Sequence, residues 1–222
     1  MTERHDVPLD PAGPPVVSAP SADLLTRARR LAGRDGRRLL GITGAPGAGK
    51  STLAAELVDA LGPETAVLVP MDGFHLAQAT LVAWGREGRK GAWDTFDAEG
   101  YLHLLRRLRA DEDEVVHAPR FERDLEEPIG SALPVRRGLP LVVTEGNYLL
   151  STEGRWGSVA ALLDECWFLE PDEGTRLDRL VARHRRHGRS AAEAETWARG
   201  TDQVNARLVQ ASRSRADLVV RP

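Results

Sequence analysis

Residues 44–51 read Gly-Ala-Pro-Gly-Ala-Gly-Lys-Ser and match the pattern G-x-x-x-x-G-K-(S/T). Each position has a physical task. Gly44, Ala45, Pro46, Gly47, Ala48 and Gly49 let the backbone curl around a phosphate with consecutive N–H groups pointing inward as an anion nest. A helix opening near Lys50 presents its positive end to the same phosphates. Lys50 is expected on the β- and γ-phosphate oxygens and Ser51 on Mg²⁺, and Thr52 completes the nucleotide-binding stretch. An apolar run precedes the loop and a helical run follows it, which is the context the motif requires. ATP and Mg²⁺ are the expected cofactors.

The loop identifies a nucleotide, and the reaction must come from other side chains. Asp72 closes a second apolar run, 65–71, where a carboxylate can take the proton of an acceptor hydroxyl or hold Mg²⁺ through water. The Asp72-Gly73 pair is also an ordinary turn, so the alternatives stay open on residues alone. Glu145 follows the apolar run 139–144, where a carboxylate can position the metal and its waters, or simply end a strand. Arg176, Arg179 and Arg183 recur at i, i+3 and i+7 on one helical face. Such a face is either solvated or closes over ATP to stabilise transition-state charge. His75, three residues after Asp72, can bond a substrate or serve the fold. The histidines show no metal-ligand spacing.

The elements that must hold these residues follow from hydrophobic periodicity. Helices are expected over 21–33, 50–61, 79–84, 98–110, 156–164, 173–187 and 191–211, the last in two pieces. Strands are expected over 38–43, 65–71, 115–117, 139–144, 166–169 and 217–220, with 131–137 as an edge strand or hairpin arm around Pro134. Alternating strands and helices imply an α/β fold: a P-loop NTPase three-layer sandwich, with a mostly parallel central sheet, helices on both faces and a helical lid at about 173–190. Ligands on such sheets bind beyond the carboxyl ends of the strands, which puts Gly44, Asp72 and Glu145 on one rim. Residues 1–20 are expected to be a disordered or loosely attached tail, and 21–222 a single kinase domain.

Composition narrows the setting. With 222 residues the chain can build one full α/β core. A net charge of −3 argues against a nucleic-acid-binding protein. No apolar run approaches the about 18 residues of a membrane helix, and the first 20 residues lack a signal peptide's apolar stretch, so no membrane partner is expected. The lone Cys166 sits in an apolar run and reads as a core thiol, which fits a cytoplasmic protein.

Together these motifs resemble a known superfamily. The P-loop, then Met71-Asp72-Gly73-Phe74-His75, then Arg89-Lys90-Gly91 leading to Thr95-Phe96-Asp97, and Val142 to Asn147 look like type I pantothenate kinase. The arginine-bearing helix and closing strand 216–220 look more like uridine kinase, and the wider group includes phosphoribulokinase. The nearest likeness is to small bacterial nucleoside/nucleotide kinase proteins, some associated with fructose transport; it covers about residues 24–220. The resemblance implies that Asp72 is the acceptor-side carboxylate and that Arg179 and Arg183 belong to a lid. It places Arg123 where pantothenate kinases carry a substrate-binding histidine, a departure that points away from pantothenate and towards an anionic or polyhydroxylated acceptor. Phe74, His75, Tyr101, Tyr148 and Asn205 are the further residues expected at the acceptor. Related kinases are often dimers, so a homodimer is expected.

The activity expected from all this is transfer of the γ-phosphoryl group of ATP to a hydroxyl of a small molecule: a nucleoside, a sugar or a pantothenate-like compound. The rival is a nucleotide-dependent switch or ATPase without an acceptor. A GTPase needs an N-K-x-D motif, which is absent, and Asp97-Ala98-Glu99-Gly100 precedes a helix instead of closing a strand. An ABC-type signature is also absent. A degenerate kinase acting only as a binding partner is disfavoured by Lys50, Ser51, Asp72 and Glu145 being in place.

Overall fold

A computed structural model describes residues 13–18, 22–186 and 188–222. The apolar runs Arg38–Thr43 (β2) and Leu141–Gly146 (β6) form the centre of a six-stranded sheet. Their residues are buried almost throughout, as expected of parallel strands covered on both faces. Alternation sends successive residues to opposite cores. Leu39 and Val142 join one, and Leu40, Ile42, Leu141 and Val143 join the other. The remaining strands are Val16–Ser18 (β1), Ala66–Leu68 (β3), Glu165–Leu169 (β7) and Leu218–Arg221 (β8). The order is β1-β8-β7-β2-β6-β3, every pair parallel.

Ala22–Ala32 (α1) and Lys50–Leu61 (α2) supply Leu24, Ala28, Leu31, Leu53, Ala54 and Leu57 to one core. Gln78–Ala83 (α3) is a short helix, and Ala98–Ala110 (α4) lays Tyr101, Leu102, Leu105 and Leu108 into the opposite core. Glu173–Arg186 (α5), Ala191–Arg199 (α6) and Thr201–Gln210 (α7) follow β7. The expected break within 191–211 falls at Gly200. Among the described residues no helix is long and apolar enough to cross a membrane.

Several expectations change. Val16–Ser18, placed in the tail, pairs in register with Val219, Val220 and Arg221 as an edge strand; the rest of 1–20 outside 13–18 lies beyond the described residues. The strand expected over 65–71 stops at Leu68, although Val69 still donates to the Val143 carbonyl. Pro70 has no N–H to continue the ladder, and Met71–Phe74 turns into a 3-10 helix. Residues 156–164 form two 3-10 turns, Gly154–Ser158 and Ala160–Leu162, that drive Trp156 into the core. The short strand at 115–117 and the arm at 131–137 are parts of one long hairpin outside the main sheet, Val115–Glu122 (β4) against Glu127–Arg136 (β5), with an irregularity between Ala118 and Arg120. Its charged tip concealed it from a search for apolar alternation.

Candidate active site

The carboxyl ends of β2, β3 and β6 converge on one cavity of about 690 Å³. Lys50, Ser51, Asp72, His75, Arg123 and Glu145 all line it, with Arg183 and Asn205. Helix α2 begins at Lys50 with Gly49 as its N-cap, a residue without a side chain to cap the helix, so the first N–H groups are left for an anion.

Lys50 is nearly buried and donates to Asn147 Oδ1 (2.7 Å) and to the Ala45 carbonyl (3.2 Å). Burial lowers its pKa to about 8, against the opposing pull of Glu145 and Asp72. Asn147, which fixes the ammonium, was not singled out from the sequence; its signal is its place just past the Glu145-Gly146 strand end. Ser51 Oγ donates to Glu145 Oε1 at 3.0 Å. Burial and then the nearby Asp72 push the Glu145 carboxyl up, to about 6. A buried carboxylate facing a hydroxyl and repelled by a second carboxylate suits a cation. Among the described residues no group of three or more His, Cys, Asp or Glu side chains could hold a metal alone. Ser51 and Glu145 therefore fit a Mg²⁺ that arrives with nucleotide phosphates as its other ligands.

The lid helix is pinned to the loop. Arg176, nearly buried, donates to the Pro46 carbonyl (2.8 Å), to Glu173 (2.7 Å) and to Gln203 Oε1 (2.5 Å). Arg176 is thus an anchor, and the arginine face divides by role. Arg183 lines the cavity, and Arg179 is exposed with Nη1 beside Gly49, 3.4 Å from where a side chain there would begin. Gly47 has φ +84°, and a Cβ there would lie 2.7 Å from the Arg176 carbonyl. Gly47→Ala is therefore expected to push the lid off the loop and weaken ATP binding by about ten-fold or more, read by nucleotide titration; wild-type affinity would show that this contact is dispensable. The far end of the lid is tied by His184. Its Nδ1 accepts from the Arg189 guanidinium, so Nε2–H donates to Asp202 at 2.6 Å. Arg189 lies 4.5 Å over the Trp197 ring.

Asp72 stands in the 3-10 turn after β3. Gly73 lets that turn approach β4, since a Cβ there would sit 2.4 Å from the Pro119 carbonyl. Arg123, near the hairpin tip, pairs with Asp72 at 3.3 Å, and both side chains keep solvent contact. His75 is held by an isolated bridge to Phe96 and stacks on that ring at 4.0 Å, with Phe121 at 4.9 Å. Its Nδ1 is buried without a hydrogen-bond partner, and burial lowers its pKa to about 4. The folded state resists protonation that the unfolded chain accepts at about 6.5, so stability falls as pH drops from about 6.5 towards 4. The loss is up to about 3 kcal/mol. His75→Phe should flatten that part of a pH–denaturation profile, and an unchanged slope would assign it elsewhere.

Not every expected acceptor residue reaches the cavity. Tyr101 is fully buried and donates to Thr144 Oγ1 (2.7 Å), which in turn donates to the Val69 carbonyl. Tyr148 is equally buried and donates to the Gly91 carbonyl (2.6 Å). Phe74 packs edge-on against Tyr101 at 5.3 Å. These three build the wall behind the site: aromatic bulk made the core the better place for them, and the hydroxyls of Tyr101 and Tyr148 found partners there. Asn205 does line the cavity and donates to the Gly91 carbonyl at 3.3 Å. Thr52 is exposed on the first turn of α2. Lys90 and Phe121, unassigned from the sequence, also line the cavity; the Arg89-Lys90-Gly91 run was the available signal for the first.

Residues 39–206 match the family model described as an AAA domain. The chain belongs to this family of P-loop kinase-like proteins. A Schizosaccharomyces pombe protein provisionally named a uridine kinase is 31% identical over 208 residues, covering 89% of this chain and 88% of the relative. An ATP-dependent kinase-like protein of Aspergillus versicolor is 37% identical over 145 residues, covering 61% of this chain and 84% of its own length. A crystal structure from Silicibacter sp. TM1040, provisionally described as a fructose transport system kinase, superposes with a TM-score of 0.80 at 37% identity, covering 88% of this chain and 97% of that one. The three-layer P-loop kinase fold expected from the sequence is the fold observed.

Proposed function

We propose that the protein transfers the γ-phosphoryl group of ATP to a hydroxyl of a small molecule. The observation that carries this reading is the presence of Asp72, a carboxylate that bonds neither Lys50 nor Ser51, in the same cavity as both. A nucleotide switch needs no such second carboxylate beside an aromatic-walled space; a kinase does, to orient the acceptor hydroxyl.

In this reading the triphosphate lies over residues 44–51, with Lys50 on its outer oxygens. The adenine occupies a smaller hollow of about 240 Å³ beside Ala45, between Leu169, Pro171, Ala206 and Arg207. Ser51 and Glu145 would hold Mg²⁺, which would supply positive charge to offset that of the phosphates. The acceptor hydroxyl rests against Asp72, which takes or orients its proton. Lys50, Arg179 and Arg183 balance the charge that shifts as the γ-phosphoryl moves. Such transfers have loose transition states, so positioning and electrostatics outweigh the strength of the base. The names of the relatives point to nucleosides and sugars as acceptors.

The test is ADP release from Mg·ATP with and without a panel of nucleosides, sugars and pantothenate. Release that rises with one class of acceptor is expected, together with a phosphorylated product. Hydrolysis indifferent to every acceptor would sink the kinase reading and favour an ATPase switch.

A further inference from the structure

The cavity is electrically lopsided. At its loop and lid end, Lys50, Arg183, Arg186 and Arg189 stand against Glu145 and Asp202, two positive charges in excess. That end matches a triphosphate with its metal. At the other end, Asp72, Glu87, Asp124 and Glu126 stand against Lys90 and Arg123, two negative charges in excess. His75 adds no cation there at neutral pH, because burial keeps its ring neutral.

Both cations of the second end are already engaged. Arg123 pairs with Asp72 at 3.3 Å. Lys90 Nζ donates to the Glu126 carbonyl at 2.7 Å and lies 3.6 Å from its carboxylate. An anionic acceptor would have to share these cations with the carboxylates that already hold them and sit among surplus carboxylates. A neutral polyol meets the opposite situation. Each pair presents a donor and an acceptor side by side, which two neighbouring hydroxyls can bridge without either charge losing its partner. The rings of His75 and Phe121, tilted by 53° to each other, both line the cavity and offer aromatic surface to the carbon face of a sugar.

We infer that the phosphoryl acceptor is an uncharged polyhydroxylated molecule carrying neighbouring hydroxyls, and not a carboxylate or a phosphate ester. This rests on the kinase reading only in assigning the Asp72 end of the cavity to the acceptor. It resolves the two chemistries that Arg123 leaves open in the sequence, because Arg123 is already neutralised where it stands. A free sugar or sugar alcohol and the sugar of a nucleoside share this chemistry.

The experiment is calorimetric titration of the full chain, saturated with Mg·ADP, using matched pairs: a hexose and its phosphate ester, a sugar alcohol and the aldonic acid of the same skeleton, and a nucleoside and its 5′-monophosphate. The neutral member of at least one pair is expected to bind at least about ten-fold more tightly than its charged counterpart, and which pair responds separates a free sugar from a nucleoside. Equal or tighter binding of the charged members, or no binding by any neutral member, overturns the inference. Phosphoryl transfer is measured separately, so a polyol that binds without being phosphorylated sinks the kinase reading and leaves this one standing. Asp124→Asn, exposed in the hairpin turn, with Glu87→Gln, exposed on a short 3-10 helix, provides a second readout. The double variant should shrink the charged member's deficit by about three-fold or more while moving the neutral member less than about two-fold. An unchanged deficit would overturn the inference.

Discussion

Lys50→Ala is expected to lower kcat by about 10²- to 10³-fold, the usual cost of removing one preorganised donor from a developing anion. The ammonium is held by Asn147 and the Ala45 carbonyl, and with a pKa of about 8 it is charged at neutral pH. Asn147 and the Ala45 carbonyl hold the ammonium at one point deep in the fold, whereas Arg179 and Arg183 approach from the lid helix. Lys50→Arg is therefore expected to rescue little, since a planar fork does not fit a site shaped for a point charge. The fold should survive, because a buried cation that resists its own charging contributes little to stability. Steady-state turnover and a melting curve on the same preparation check this. Turnover within a few-fold of wild type would remove Lys50 from the chemistry.

Asp72→Asn is expected to lower kcat by about 10²- to 10⁴-fold while leaving ATP affinity near normal. Asn keeps the size and can still bond Arg123, but it cannot take a proton, and its amide presents a donor where the acceptor hydroxyl needs an acceptor. The lower end of the range is expected if Asp72 only orients the hydroxyl, because a loose transition state asks little of a base. Single-turnover kinetics with saturating ATP separate the chemical step from binding. An unchanged kcat would sink both roles, and a raised KM for ATP would move Asp72 to the metal. Arg123→Gln frees Asp72 from its ion pair and makes a companion measurement: an effect on acceptor KM with kcat nearly intact is expected of a residue that helps to bind the acceptor and takes no part in the chemical step.

The loop at 44–51 was legible because its function is a backbone property, and small residues at fixed spacing encode a backbone conformation directly. That Asp72 and Glu145 share one cavity was legible because a parallel sheet sends every strand end to one rim. Tyr101, Tyr148 and Phe74 were misplaced because an aromatic at the right distance along the chain looks the same whether it faces a cavity or the core. Arg176 and Arg183 share a helical face in the sequence, yet the first is consumed by Pro46, Glu173 and Gln203 and the second is left facing the cavity.

The sequence by itself determined the α/β fold, the order of strands and helices around the phosphate loop, and the family, since these depend on local periodicity and on motifs contiguous in the chain. Only the tertiary structure decided which charges meet. Arg123 reaches Asp72 across 51 positions, and Asn147 reaches Lys50 across 97. The β4–β5 hairpin brings Arg123, Asp124 and Glu126 over a cavity whose other wall is the lid. Charge pairing depends on distance through space, which falls steeply over a few ångströms and leaves no trace in spacing along the chain.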